Sequence, residues 1–326
     1  MDIVLIVLVT LEVLGYFLWI FFTQKKQSSR RDIVSSLMFI VALVILYKVF
    51  TLNLDFGLVL IIGTCLAGIS WALGHVVSIS DLREESRSYF LILLIITCIR
   101  SFTYEPYQIP SRSMEPGLQI GDFVLVNKFV YGLKFPGTNN LITELRKPKR
   151  NEVAVFYPPH TICSRSPLDA RPDLDKLSLQ EGQLFLSRFS ALQDDRCTAS
   201  GIKYVKRIIG IPGDKVILKG YELWINDKKI SKVFLKNLDN KIIYEETINN
   251  LKHFIQLDGS NKLEEYKWQV PEGKYLAIGD NRDNSLDSRS WGYFSEDHLV
   301  GRADFIWLHW PSFAELPSLR RNGKIN

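Results

Sequence analysis

The 326-residue sequence predicts N-terminal transmembrane helices followed by a mostly-β domain of packed antiparallel sheets. Three observations predict it. Apolar residues crowd the first hundred positions, most of the charged residues lie beyond them, and past Gln108 the chain breaks into short alternating stretches between Gly, Pro, Asn and Asp turns. Residues 1–104 therefore read as a membrane anchor and residues 105–326 as a β-rich domain in water.

Residues 1–22 are long enough to cross a hydrocarbon layer of about 30 Å, despite Glu12 within them. They lack the leading positive charge and small-residue end of a cleaved signal peptide. Lys25, Lys26, Arg30 and Arg31 follow as a short basic loop, which the positive-inside rule assigns to the cytoplasm. Residues 33–50, ending near the snorkelling Lys48, and residues 56–79 are further spans. Residues 88–102 make a short fourth, interrupted by Arg100. With up to four crossings and the basic loop inside, everything after Tyr104 lies outside; two crossings give the same side.

In the polar part, residues 122–130, 152–157, 202–209, 215–218, 222–226, 274–278 and 299–307 alternate in the manner of antiparallel strands. Packed sheets or a small barrel satisfy that pattern. Residues 158–200 interrupt it with Pro, Asp, Ser and Arg, and hold Cys163 and Cys197. A bridge between these cysteines would close about 35 residues and contribute roughly 3–4 kcal/mol; two free thiols are the alternative. Cys65 and Cys98 fall in apolar runs, and no cysteine spacing matches a zinc site.

The formal charge of +5 comes largely from the basic loop, and elsewhere Lys and Arg interleave with Asp and Glu, which argues against nucleic acid as a partner. There is no Gly-x-Ser-x-Gly elbow and no His-Glu-x-x-His helix, and the five histidines are scattered. A hydroxyl activated by lysine remains, a known variant of triad logic.

Three segments carry candidate chemistry. In Gln108-Ile109-Pro110-Ser111-Arg112-Ser113-Met114-Glu115-Pro116, two prolines fix the backbone around two hydroxyls; an exposed turn is the plainer alternative. In Tyr204-Val205-Lys206-Arg207-Ile208-Ile209-Gly210, alternation puts Lys206 on one face and Arg207 on the other, so one cation shares a face with bulky neighbours. If that cation is Lys206, burial lowers its pKa from about 10.4 towards neutrality and makes it a base. On an edge strand it would be an ordinary solvated lysine. The third segment, residues 277–289, packs Asp, Asn, Arg and Ser into a loop that Asx turns and ion pairs can hold; the spacing of Asp280, Asp283 and Asp287 is not that of an EF hand.

Taken together, these segments resemble the bacterial type I signal peptidases, or leader peptidases, over residues 100–134, 204–216 and 279–302, in the family's order. The resemblance implies a membrane-bound serine endopeptidase that removes signal peptides from exported preproteins after an Ala-x-Ala-type motif, through an acyl-enzyme. It implies Ser113 as nucleophile and Lys206 as general base, with the Ser111 hydroxyl and Ser113 amide as oxyanion hole. Ser285 would orient the lysine, supported by an Asp287–Arg289 pair, and Tyr107, Ile109, Met114, Leu118, Tyr204 and Val205 would line the substrate pockets. Ordinary core packing is the competing explanation for those six. Gly117 stands where the family often has Thr, and Asn151-Glu152 where it usually has Gly-Asp. No metal or organic cofactor is implied. The expected setting is the bacterial inner membrane, multi-pass, near the export machinery, with the β domain on the periplasmic side. A Ser-Lys protease of other membrane substrates and a peptide-binding anchored β domain are the alternatives.

Overall fold

The computed structural model describes residues 3–51, 56–135, 140–159, 202–238, 241–259, 264–312 and 314–326. The described chain divides into two compact units, one helical and one of strands.

The helical unit contains α1 (Ile3–Gln24), α2 (Ser28–Thr51), α3 (Phe56–Val76) and α4 (Ser80–Phe102). Most of their apolar side chains point outward, the inverse of a soluble bundle. Small residues allow close approach: a side chain at Gly15 would meet Met38, and one at Gly74 would meet the backbone of Arg83. Thr64 Oγ1 lies 2.9 Å from Thr97 Oγ1, linking α3 to α4. Arg31 donates to Asp81 at 2.9 Å, so the loops before α2 and α4 share one end of this unit. Among the described residues, three helices are long and apolar enough to span a membrane. The expected fourth span, residues 88–102, is the apolar half of α4, whose first two turns hold Asp81, Arg83, Glu84, Glu85 and Arg87. Those charges keep the whole helix from qualifying.

The strand unit opens with β1 (Tyr104–Gln108), β2 (Asp122–Asn127), the hairpin β3 (Gly132–Lys134) and β4 (Leu141–Glu144), and β5 (Val153–Phe156). Beyond come β6 (Tyr204–Gly210), β7 (Lys215–Lys219), β8 (Glu222–Ile225) and β9 (Lys228–Lys229). Next are β10 (Ser231–Leu238), β11 (Lys241–Ile248), β12 (Leu251–Leu257), β13 (Glu265–Gln269) and β14 (Lys274–Ile278). The last are β15 (Phe294–Ser295), β16 (Leu299–His309) and β17 (Gly323–Lys324). The largest sheet runs β1-β2-β16-β5-β6-β14-β15, with β17 on β16 and every neighbour antiparallel. Each expected strand is present. Sequence reading missed the β10–β12 meander, although the turn between β11 and β12 is signalled by Asn249 and Asn250, at φ 51° and 63°.

β6 lies inside the large sheet, and apolar clusters cover it on both sides: Val205 packs into one, Tyr204 and Ile208 into another. The meander joins the sheet's chemistry through a buried ion cluster. Arg282 donates to Glu246 of β11 at 2.5 Å, His253 of β12 lies 3.2 Å from the same oxygen, and Arg282 and Glu246 are 2% and 1% exposed. The amide of Arg282 also donates to the Gln256 carbonyl, and that of Gln256 to the Asp280 carbonyl. Burial alone would raise the pKa of Glu246, but Arg282 and His253 hold it down at about 2.

Glu246→Gln leaves Arg282 buried without its counterion, at a cost of about 3–5 kcal/mol in urea unfolding of the detergent-solubilised chain. A carboxylate held below its ordinary 4.5 stabilises fully above that pH and loses the contribution as pH falls towards about 2. The wild type should show that acid loss, and Glu246→Gln should show a smaller one, since Glu152, Asp214 and Asp287 are also held low.

Candidate active site

Ser113 sits in a single 3₁₀ turn, Arg112–Met114, entered through Ser111 in extended conformation. Ile109 and Met114, 2% and 1% exposed, anchor the two sides of this turn in the core beside Val124 and Val126. Its carbonyls are held by a distant segment. The backbone amide of Asn281 donates to the Ser113 carbonyl at 3.1 Å, and its side-chain amide donates to the Arg112 carbonyl at 3.0 Å. Gly279 makes this approach possible, because a side chain there would stand 2.5 Å from the Ser113 carbonyl oxygen and 2.2 Å from Ser285 Oγ.

Lys206, on β6 opposite Ala154 of β5, is 4% exposed. Its Nζ lies 2.6 Å from Ser113 Oγ, 3.1 Å from the Val205 carbonyl and 5.0 Å from the Tyr204 ring centre. Burial lowers its pKa from 10.5 to about 8; Asp287 and Asp280 oppose that shift and Arg289 adds to it. The minority that is neutral at pH 7, which grows to half near pH 8, can take a proton from a hydroxyl in contact with it. Ser111 Oγ lies 3.2 Å from Ser113 Oγ, so a second hydroxyl shares the space.

Two arginine–carboxylate forks brace this pair. Arg289 grips Asp287 at 2.8 and 2.7 Å, and Asp287 also accepts from the Gly279 amide at 3.0 Å. Arg207 grips Asp280 at 2.8 Å through two nitrogens, both side chains 3% exposed, and donates to the Asn151 carbonyl at 2.8 Å. Both cations of β6 are buried, where alternation promised only one. Ser285 Oγ packs against Gly279 beside the carboxylate of Asp287, which it helps to keep ionised, and makes no bond to Lys206. Sequence reasoning missed Asn281, Arg207 and Asp280 as supports, though all three stood within the quoted motifs.

A cavity of about 310 Å³ opens beside Ser113. Of the expected pocket residues, Ile109, Met114, Tyr204 and Val205 line it. Leu118 is 2% exposed in the core, and Tyr107 packs against the same cluster without lining the cavity. Ile202, Lys203 and Leu286 line it without having been anticipated. The ladder between β14 and β6 reaches only Arg207, and beyond that register the cavity follows residues 202–206. Cys163 and Cys197, with residues 160–200 of the expected excursion, lie outside the described residues.

Residues 82–310 match the family described as signal peptidase, peptidase S26. The chain is 37% identical over 268 residues to the signal peptidase I of Buchnera aphidicola subsp. Acyrthosiphon pisum (strain APS), covering 68% of this chain and 73% of that protein. It is 32% identical over 261 residues to the signal peptidase I of Pseudomonas fluorescens, covering 74% and 78%. A third relative, the signal peptidase I of Pseudomonas aeruginosa, is 31% identical over 262 residues.

A lysine whose pKa is lowered by folding costs stability while it is charged. That cost is fully present below about 8 and disappears as pH rises from there to 10.5, because the unfolded chain then holds the extra proton. Lysine-selective isotope labelling should reveal two side chains titrating near 8, Lys134 and Lys206, one of which is absent in Lys206→Met. In Asp287→Asn the Lys206 titration should move further down, since the carboxylate opposes the shift.

Proposed function

Because this chain belongs to the signal peptidase family, peptidase S26, and is a serine endopeptidase, we propose that Ser113 and Lys206 form its catalytic dyad and that it cuts exported preproteins after an Ala-x-Ala-type motif. The observation that carries the proposal is the 2.6 Å separation of Lys206 Nζ from Ser113 Oγ in a buried setting.

In this reading Ser113 Oγ attacks the scissile carbonyl carbon while its proton passes to neutral Lys206. The new carbon–oxygen bond pushes charge onto the carbonyl oxygen, which the Ser111 hydroxyl and the Ser113 amide receive. Lys206 then returns the proton to the leaving amine as the carbon–nitrogen bond breaks, giving an acyl-enzyme. Water then attacks the ester as it loses a proton to Lys206, neutral once more, and Lys206 passes that proton to Ser113 Oγ as the carbon–oxygen bond to the serine breaks and the signal peptide is released. Ser285, which packs beside Gly279 and the Ser113 carbonyl, is the group to steady the lysine once substrate is bound. The side chains of Ile109, Met114 and Val205 suit small apolar residues before the cut, and the cavity along residues 202–206 suits an extended peptide added as a strand.

The protein is a membrane protein by its relatives and its apolar helices. We infer that the basic loop after α1 is cytoplasmic and that the apolar half of α4 completes a fourth crossing, putting the catalytic unit outside the membrane near the site where precursors emerge. In a chain whose four native cysteines are replaced by serine, a cysteine introduced at the exposed Ser231 should then react with an impermeant maleimide on intact spheroplasts, and one introduced at Ser29 should not.

The decisive assay is cleavage of a detergent-solubilised precursor ending its signal in Ala-x-Ala, with the new N-terminus mapped. Wild type should cut directly after the motif, with a rate rising through an apparent pKa near 8 as Lys206 loses its proton. Folded Ser113→Ala and Lys206→Met should be inert, and Ser111→Ala slower by about 100-fold to 1000-fold. Equal cutting by Lys206→Met would remove the lysine from the mechanism.

A further inference from the structure

Lys203 stands three residues before Lys206, on the stretch of chain that the cavity follows. Its ammonium is 2.5 Å from the Tyr107 hydroxyl and lies over two rings, 4.9 Å from the centre of Tyr107 and 5.6 Å from that of Tyr157. A lysine on a strand end is ordinarily a free rotor in solvent; this one is held by a hydroxyl and two ring faces, each of which prefers the cation.

The surrounding charge is one-sided. Arg112, with 62% of its side chain exposed, also lines the cavity, and no Asp or Glu among the described residues does so. The buried carboxylates nearest the dyad, Asp280 and Asp287, are each closed by their own guanidinium. Glu115 approaches Arg112 only to 3.9 Å and is shared with Lys241 at 3.2 Å. Among the described residues the rim therefore offers a peptide positive charge with no carboxylate lining it.

We propose that Lys203 is a specificity-determining residue: it favours precursors with an acidic residue, and disfavours those with a basic one, at the fourth or fifth position before the cut. This deepens the reading of Ser113 and Lys206 given above and rests on it. An extended peptide rises about 3.3 Å per residue, so a substrate whose small residues occupy the pockets of Met114, Ile109 and Val205 brings its fourth or fifth residue beside Lys203, about 10 Å along the chain from Lys206. Val205 and Lys203, two residues apart, face the same way, which lets one face of the peptide meet first apolar wall and then charge.

The test uses the full-length protein in detergent and one precursor with Glu, Gln or Lys placed in turn at positions two to six before the cut. The readout is the ratio of kcat/KM for the Glu and Lys forms within each enzyme variant, which a general loss of activity does not move. Wild type should prefer Glu over Lys about tenfold at the fourth or fifth position at low ionic strength, less at high salt. Lys203→Gln should bring the ratio close to one, and Lys203→Glu should invert it. If wild type leaves the Gln precursor intact, the peptidase reading and this proposal fall together. If it cuts the Gln precursor but shows no charge preference, or if the preference persists in Lys203→Glu, the proposal is overturned and the peptidase reading stands.

Discussion

An ammonium group that loses its water must find other charge or give up its proton, and the site is arranged so that Lys206 is pressed towards the second course. Two carboxylates, Asp280 and Asp287, are near enough to hold the lysine charged. Each is instead gripped by two nitrogens of its own arginine, Arg207 and Arg289. Their negative charge still opposes the drop, but burial outweighs it, and Arg289 adds a repulsion of its own. Removing either guanidinium would free a buried carboxylate to pair with the lysine.

The same loop that supplies the carboxylates also fixes the other half of the pair. Its backbone passes so close to the turn of Ser113 that only a residue without a side chain fits at position 279. Two residues on, Asn281 uses both of its amides to hold the carbonyls of Arg112 and Ser113. The loop is held from behind by the meander, through Glu246, Gln256 and Arg282. Backbone polar groups near Ser113 are thereby occupied by protein, which leaves the hydroxyls of Ser111 and Ser113 facing the cavity.

Much of this was legible in the sequence because it is local. Alternation and turn residues exposed the strands of the large sheet, and apolar runs exposed the helices. Motif order carried the family. What escaped depends on contacts between distant parts. Alternation could bury one cation of β6 but not two, since nothing local says that an internal strand has a core on each face. Asn281 reads as one more loop asparagine until the turn 169 residues earlier is seen against it. The meander escaped because strands such as Ser231–Leu238 mix lysine with apolar residues on both faces, as an edge strand does. Lys203 escaped because its partners, Tyr107 and Tyr157, come from other strands and loops.

The long reach of these contacts has a consequence for the order of assembly. Ser113 and Lys206 are 93 residues apart, and the clamp on Ser113 comes from 169 residues beyond Arg112. Contacts of such separation are made late, after the loops between them have closed. A chain still emerging from its ribosome carries Ser113 long before it carries Asn281, Asp287 or Arg289, so the turn exists without its clamp and the lysine without its tuned surroundings. The site comes into being only when all but the last 37 of the 326 residues are made. A site gathered from segments this far apart is incomplete for as long as the chain is being made.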